Sequence, residues 1–136
     1  MFELYNKVSL DCSKIVTTKY STSFSFAIRT LDKSLHKHIY AIYGFVRIAD
    51  EIVDSFHDYD KKVLLDRFRK ETYQAIEEKI STNPILQSFQ VVVNKFNIEK
   101  ELIEAFLNSM EADLYNNTCN TQSYQEYIYG SAEVVG

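Results

Sequence analysis

Four polar residues interrupt an otherwise apolar stretch in the first half of the chain. They are Tyr43, Arg47, Asp50 and Asp54, which share an arc of about 60° if residues 32–56 form a helix. Asp50 and Asp54 are then neighbours at i and i+4, where like charges repel, and burial raises that cost. A divalent cation removes the conflict. The pair therefore predicts a Mg²⁺ site, with Mn²⁺ as the alternative ion, because both ions accept carboxylate and phosphate oxygens.

Arg47 stands one turn before Asp50 and carries the planar donor fork that matches phosphate. Together with the two aspartates it predicts a site for Mg²⁺ plus a diphosphate. The alternative is a solvated patch formed by Arg47, Asp50, Glu51 and Asp54, since most charge groups at this spacing are surface pairs. The apolar residues on both sides of the row argue against that alternative.

The helix that must position these residues is predicted to lie near the middle of a bundle. Its main apolar stripe consists of Leu35, Ile39, Ile42, Val46, Ala49 and Val53, and a second one of Ala41, Phe45, Ile48, Ile52 and Phe56. The narrow line left to face water consists of Lys37, Gly44, Glu51 and Ser55.

Periodicity and capping signals predict further helices over residues 3–17, 60–80, 84–96 and 98–116, and one that begins near Ser123. The Ser- and Phe-rich residues 20–30 are expected to be non-helical, since their hydroxyls compete for backbone groups. With 3 Gly and 1 Pro in 136 residues, the composition favours long helices over a turn-rich β fold. The prediction is an all-α helical bundle in one domain, or in part of one.

The composition also limits which binding partners and which cellular compartment are expected. The net charge is −4 and the basic residues are dispersed, which excludes a nucleic-acid surface. Cys12 and Cys119 lie far apart and are expected to be reduced thiols of a cytoplasmic protein. The N-terminus does not resemble a signal peptide, and no apolar run reaches membrane-spanning length.

The last residues of the sequence are apolar and lack a polar tail, which suggests a truncated chain. In that case the Tyr127/Ser131/Val135 face and part of the stripe on residues 32–56 would be exposed. Self-association is then expected, because exposed apolar patches drive it.

Four segments resemble motifs of the squalene/phytoene synthase family, in the order and at the separations found there. They are residues 20–26 (YSTSFSF), 41–54 (AIYGFVRIADEIVD), 110–114 (MEADL) and 127–136 (YIYGSAEVVG). The resemblance covers essentially the whole chain. It implies an isoprenoid-synthase-type helical bundle around a central cavity, with residues 1–136 as the N-terminal portion of that single domain.

The resemblance also implies an activity, the head-to-head joining of two prenyl diphosphates such as farnesyl or geranylgeranyl diphosphate. Asp50 and Asp54 would hold Mg²⁺, and the diphosphate would lie near Arg47, Ser21 and Tyr43. The remaining implied contacts are Phe24, Ser131 and Val135 around the prenyl tails, Tyr127 beside the carbocation, and Asp113 as a further polar residue of the cavity. Peripheral association with the inner face of the membrane is a further expectation for such a protein.

Several alternatives stay open at this stage. Asp113 could bond loop amides near Asn116 and Asn117, and the Tyr127 face has ordinary core spacing. Glu133 stands where the family usually has Gly, and the family's second aspartate-rich motif is absent from these 136 residues, so the chain alone is expected to be inactive. Rival readings are a non-catalytic scaffold relative, a head-to-tail prenyltransferase or a terpene cyclase.

Overall fold

Six helices and the turns between them make up residues 1–116, the part of the chain that the computed structural model describes. They are α1 (Phe2–Tyr20), α2 (Thr22–Ile28), α3 (Lys33–Ser55), α4 (Lys61–Glu78), α5 (Pro84–Phe96) and α6 (Lys100–Tyr115). This part of the chain contains no strand, so the all-α prediction is confirmed. The five longer helices agree with the predicted spans to within a few residues at each end.

Capping side chains account for this agreement. Asp32, Asp60 and Asn83 each accept a hydrogen bond from a backbone N–H in the first turn of α3, α4 and α5. At the other end, α4 and α5 stop at Lys79 and Asn97, which adopt the left-handed conformation with φ of 61° and 52°. Such signals depend on local sequence, which is why they could be predicted.

Helix α3 lies at the centre of the bundle and packs against α1, α4, α5 and α6, as predicted. The middle of its buried face is Phe45, which is 2% exposed. Its ring stacks on Phe89 with centroids 3.9 Å apart and lies 5.3 Å from Phe68 and 5.6 Å from Phe106. Four aromatic rings from four helices therefore form the inner part of the core.

Four predicted positions on or next to α3 are wrong: Leu35 and Phe56, assigned to the apolar stripes, are exposed, whereas Gly44 and Glu51, assigned to the water-facing line, are not. Leu35, assigned to the apolar stripe, is 46% exposed, whereas the rest of that stripe is buried. Gly44, assigned to the wet line, is buried against α1, and a Cβ there would lie 2.9 Å from the Cβ of Ser13. Glycine is needed at this position because α1 and α3 approach each other too closely for a side chain.

The segment expected to be non-helical contains a short helix, α2. Ser21 caps it by accepting a hydrogen bond from the backbone N–H of Phe24 at 3.2 Å. The hydroxyl of Ser25 donates to the carbonyl oxygen of Thr17 at the end of α1, at 3.3 Å. These hydroxyls satisfy helix ends instead of competing with them, and this reverses the expectation. Phe24 and Phe26 both lie within this helix.

Helix α1 buries its small hydroxyl side chains and exposes apolar ones. Ser9, Ser13 and Thr17 are fully buried, and Ser13 bonds Ser88 of α5 at 2.6 Å between hydroxyl oxygens. On the opposite face, exposed apolar residues include Leu4, Val8 and Ile15. Close approach of small residues, rather than an apolar stripe, docks α1 on α3 and α5.

Candidate active site

The C-terminal half of α3 carries the charged row predicted from the sequence. The guanidinium of Arg47 donates from Nη1 to Oδ2 of Asp50 at 2.6 Å and from Nη2 to Oε2 of Glu51 at 3.0 Å. The side chains of Asp50 and Glu51 are only 13% and 15% exposed. Arg47, Asp50 and Glu51 therefore form a largely buried ion network, whereas Asp54, at the end of the row, is exposed.

This network corrects the assignment of Glu51 to the water-facing line of α3. Glu51 is one helical turn from Arg47, and the pair closes an ordinary i,i+4 bridge. On a helical wheel Glu51 points away from Asp50, but the Arg47 side chain is long enough to reach both carboxylates.

Asp50 and Asp54 meet as the spacing predicted. Burial, followed by the charge of Asp54 and a hydrogen bond with it, raises the pKa of Asp50 to about 7, although Arg47 lowers it. Asp54 itself is exposed. One carboxylate is thus held in an apolar setting beside a second carboxylate at the surface, an arrangement that favours either a shared proton or a cation.

The donor set fits a magnesium ion bound together with a diphosphate. Residues 1–116 contain no group of three or more His, Cys, Asp or Glu side chains placed to hold a metal. Two carboxylates are nevertheless the usual protein share of a Mg²⁺ site that is completed by water and phosphate oxygens. In the same region Nε of Arg47 is buried without a hydrogen-bond acceptor, and a phosphate oxygen would supply one.

The raised pKa of Asp50 predicts how stability depends on pH in the metal-free protein. The native pKa of about 7 lies above the ordinary value of 3.8. The native state therefore binds more protons between these values, and this group's contribution to the free energy of unfolding falls as the pH rises through that window. In EDTA, Asp50→Asn is expected to raise Tm more at about pH 8 than at about pH 5.

The control for this measurement is Asp11→Asn, which neutralises an exposed carboxylate on α1. Its Tm difference from the native protein should be the same at both pH values. A pH-independent difference for Asp50→Asn as well would mean that Asp50 titrates like an ordinary surface aspartate.

The junction of α1 and α2 covers the row from one side. The ring of Tyr20 stacks on the guanidinium of Arg47, with 4.5 Å from Cζ to the ring centroid. The ring of Phe24 stacks on Tyr43 at 4.4 Å between centroids. Ser21 lies between these two contacts, and its oxygen is engaged as the cap of α2. Three of the residues predicted around a diphosphate, Ser21, Tyr43 and Arg47, are therefore brought to one region.

Helix α6 brings a third carboxylate to the end of the row. Asp113 is half-buried, and burial followed by the charge of Asp54 raises its pKa. Both carboxylates line a groove of about 170 Å³ between the ends of α3 and α6. Asp113, predicted as a polar residue of the cavity, is thus next to Asp54. The alternative prediction, that Asp113 bonds loop amides near Asn116 and Asn117, involves a residue outside the described part of the chain.

Two residues of this groove were missed by the sequence reasoning. Lys61 and His57 line it with Asp54, and Lys61 Nζ donates to the carbonyl oxygen of Val53 at 2.5 Å and contacts His57 Nδ1 at 2.8 Å. The only available signal was their i,i+4 spacing across the polar break after α3. Lys61 caps the last turn of α3, which fixes the position of Asp54.

Comparisons with a family model and with individual proteins show which family the chain belongs to. The model for squalene/phytoene synthases matches residues 17–136. The chain belongs to the squalene/phytoene synthase family. Among curated proteins, a 4,4'-diapophytoene synthase of Staphylococcus haemolyticus is 28% identical over 123 residues, which cover 86% of this chain and 42% of the relative.

A solved relative shows that the fold is shared. The crystal structure of the squalene synthase HpnC from Alicyclobacillus acidocaldarius superposes with a TM-score of 0.77 at 19% identity, covering 97% of this chain and 50% of that one. The helical bundle is therefore of the squalene-synthase, isoprenoid-synthase type, as predicted. The chain spans about half the length of these two relatives.

The remaining predicted residues of this squalene/phytoene synthase family member lie outside the described part of the chain. They are Tyr127, Ser131 and Val135, together with Cys119, Glu133 and the helix predicted to begin near Ser123. Of the apolar stripe on α3 that was expected to be partly exposed, only Leu35 is exposed, and the other five residues are buried. No helix within residues 1–116 is both long and apolar enough to cross a membrane.

Proposed function

We propose that this chain is the N-terminal portion of a synthase that condenses two prenyl diphosphates head to head, with Mg²⁺ held by Asp50 and Asp54. The observation that carries the proposal is the buried network of Arg47, Asp50 and Glu51 next to Asp54. With Asp54 the group carries three carboxylates against one guanidinium, so a bound cation would balance its charge. Membership of the family supplies the reaction class.

Each described residue has a task that follows from its position. Asp50 and Asp54 offer oxygens to the cation, and Arg47 has a free Nε–H for a diphosphate oxygen. Tyr43 lies beside Arg47, and Ser21, whose oxygen caps α2, keeps its O–H as a donor. When bound, Mg²⁺ would balance the negative charge that grows on the leaving diphosphate as the carbon–oxygen bond breaks.

The apolar part of the substrate needs a water-poor wall on the same side. The stacked rings of Phe24 and Tyr43 begin such a wall next to Arg47. We place Ser131 and Val135 along the prenyl tail and Tyr127 beside the allylic cation, which an aromatic face stabilises. Asp113, at the Asp54 end, would order the hydration of the metal. The isolated 136-residue chain should bind the anionic ligand without completing the reaction.

The test measures pyrophosphate release and hydrocarbon product from the full-length gene product with Mg²⁺ and either farnesyl or geranylgeranyl diphosphate. A head-to-head product, lost when EDTA removes the metal, would support the proposal, and the better substrate would identify the chain length. A head-to-tail or cyclic product would overturn it in favour of another prenyl-diphosphate enzyme. Binding of the ligand without any release would indicate a non-catalytic relative.

A further inference from the structure

Arg47 is held in place on three sides by residues from two helices. Asp50 and Glu51 accept hydrogen bonds from its two terminal nitrogens at 2.6 Å and 3.0 Å. Tyr20, at the end of α1, covers the face of the guanidinium at 4.5 Å. Tyr20 also bonds Glu51, and this hydrogen bond raises the pKa of the Tyr20 phenol. These contacts orient the guanidinium in the absence of a ligand.

The division of the fork between two carboxylates has a consequence for Asp50. A guanidinium that faces one carboxylate alone tends to bind both of its oxygens in a bidentate pair. Here Glu51 takes Nη2, so Arg47 reaches only Oδ2 of Asp50. The other oxygen of Asp50 stays free of the arginine and can serve the neighbouring Asp54 or a cation.

We propose that Glu51 and Tyr20 are positioning residues that hold Arg47 away from bidentate capture by Asp50, leaving the second oxygen of Asp50 available for the cation that accompanies the anionic ligand. This inference rests on the proposed function for the identity of the ligand. Neither residue touches the substrate; both act through Arg47.

The direction in which one substitution changes the affinity for an anion distinguishes this positioning role from a simple charge effect. Glu51→Gln removes a negative charge close to the anion site, so charge alone predicts tighter binding of an anion. The positioning role predicts weaker binding, because Arg47 is then free to close on Asp50. With inorganic pyrophosphate and Mg²⁺ as the probe, we expect calorimetry to show about tenfold weaker binding for Glu51→Gln. The matched control, Glu77→Gln, neutralises an exposed glutamate on α4 and should leave binding unchanged.

A double-mutant cycle tests whether Glu51 acts through Arg47. In an Arg47→Gln background, Glu51→Gln should change pyrophosphate binding by less than about twofold, because no guanidinium remains to be positioned. Tyr20→Leu, which removes the stacking ring from a different helix, should weaken binding in the same Arg47-dependent way. Unchanged or tighter binding in both Glu51→Gln and Tyr20→Leu, with weaker binding in Arg47→Gln, would overturn the inference and leave the proposed function standing.

A ligand-free measurement keeps the two proposals separable. In ¹⁵N NMR spectra, the buried Nε–H of Arg47 should exchange slowly with water in the native protein and several-fold faster in Glu51→Gln. If the native protein fails to bind pyrophosphate while this difference is present, the proposed function is wrong and the positioning of Arg47 is upheld. Equal exchange in both proteins would show that Glu51 does not hold Arg47.

Discussion

Replacing Asp50 with asparagine should lower the rate of product formation by about two to three orders of magnitude. The substitution keeps size and hydrogen bonding but removes one of the two charges proposed to bind Mg²⁺. Loss of a single preorganised electrostatic contact at a reacting centre costs about 3–4 kcal/mol, and about 1.4 kcal/mol corresponds to tenfold in rate. The assay is product formation by the full-length gene product with Mg²⁺ and the preferred prenyl diphosphate.

The fold should survive this change, because Asp50→Asn relieves the repulsion with Asp54, keeps a side-chain oxygen that can accept from Arg47, and leaves the aromatic core intact. The control is Asp11→Asn, at an exposed position of α1. Glu51→Gln is unsuitable as a control since Glu51 is bonded to Arg47. A variant Asp50→Asn that keeps more than about a third of native activity at saturating Mg²⁺ would show that Asp50 is not a metal ligand.

Truncation of Phe45 should have the largest effect on stability. Phe45→Ala removes the ring that Phe89, Phe68 and Phe106 all contact. Phe→Ala substitutions in cores cost about 3–5 kcal/mol, a large share of the roughly 5–15 kcal/mol that stabilises a typical domain. Urea unfolding followed by circular dichroism at 222 nm measures the difference.

The matched control is Phe26→Ala, because Phe26 is 70% exposed on α2. It should change the free energy of unfolding by no more than about 0.5 kcal/mol. Similar losses for both variants would mean that the four rings around Phe45 do not form the stabilising centre of the bundle.

The helices and the charged row could be predicted because both depend on short-range sequence. Asp32, Asp60 and Asn83 are N-cap residues that mark the starts of helices. The i,i+4 spacing of Asp50 and Asp54 makes them neighbours on any helix. The family resemblance depended on motifs of the same local kind. The contact between Arg47 and Glu51 was also local, but a helical wheel represents only direction and ignores the reach of a long side chain.

The errors at Gly44 and in α2 concern contacts between helices. Gly44 was placed in water because a glycine has no hydrophobic signal, and only the neighbouring Ser13 shows why it is buried. The helix α2 was missed because its hydroxyl-rich sequence is stabilised by the end of α1. The approach of Asp113 to Asp54, and of Tyr20 to Arg47, depends on how separate helices cross, which no spacing within one helix contains.

The buried hydroxyl residues on the inner face of α1 have a consequence for the order in which the helices of this domain unfold. Hydroxyl groups at Ser9, Ser13 and Thr17 contribute less hydrophobic free energy to docking than the rings beneath α3 do. Helix α1 should therefore detach in a local fluctuation that leaves the aromatic core assembled, and its amide hydrogens should exchange before those of α3. Such an excursion carries Tyr20 away from Arg47. The local detachment of α1 and the loss of the contact that orients Arg47 would then be the same equilibrium.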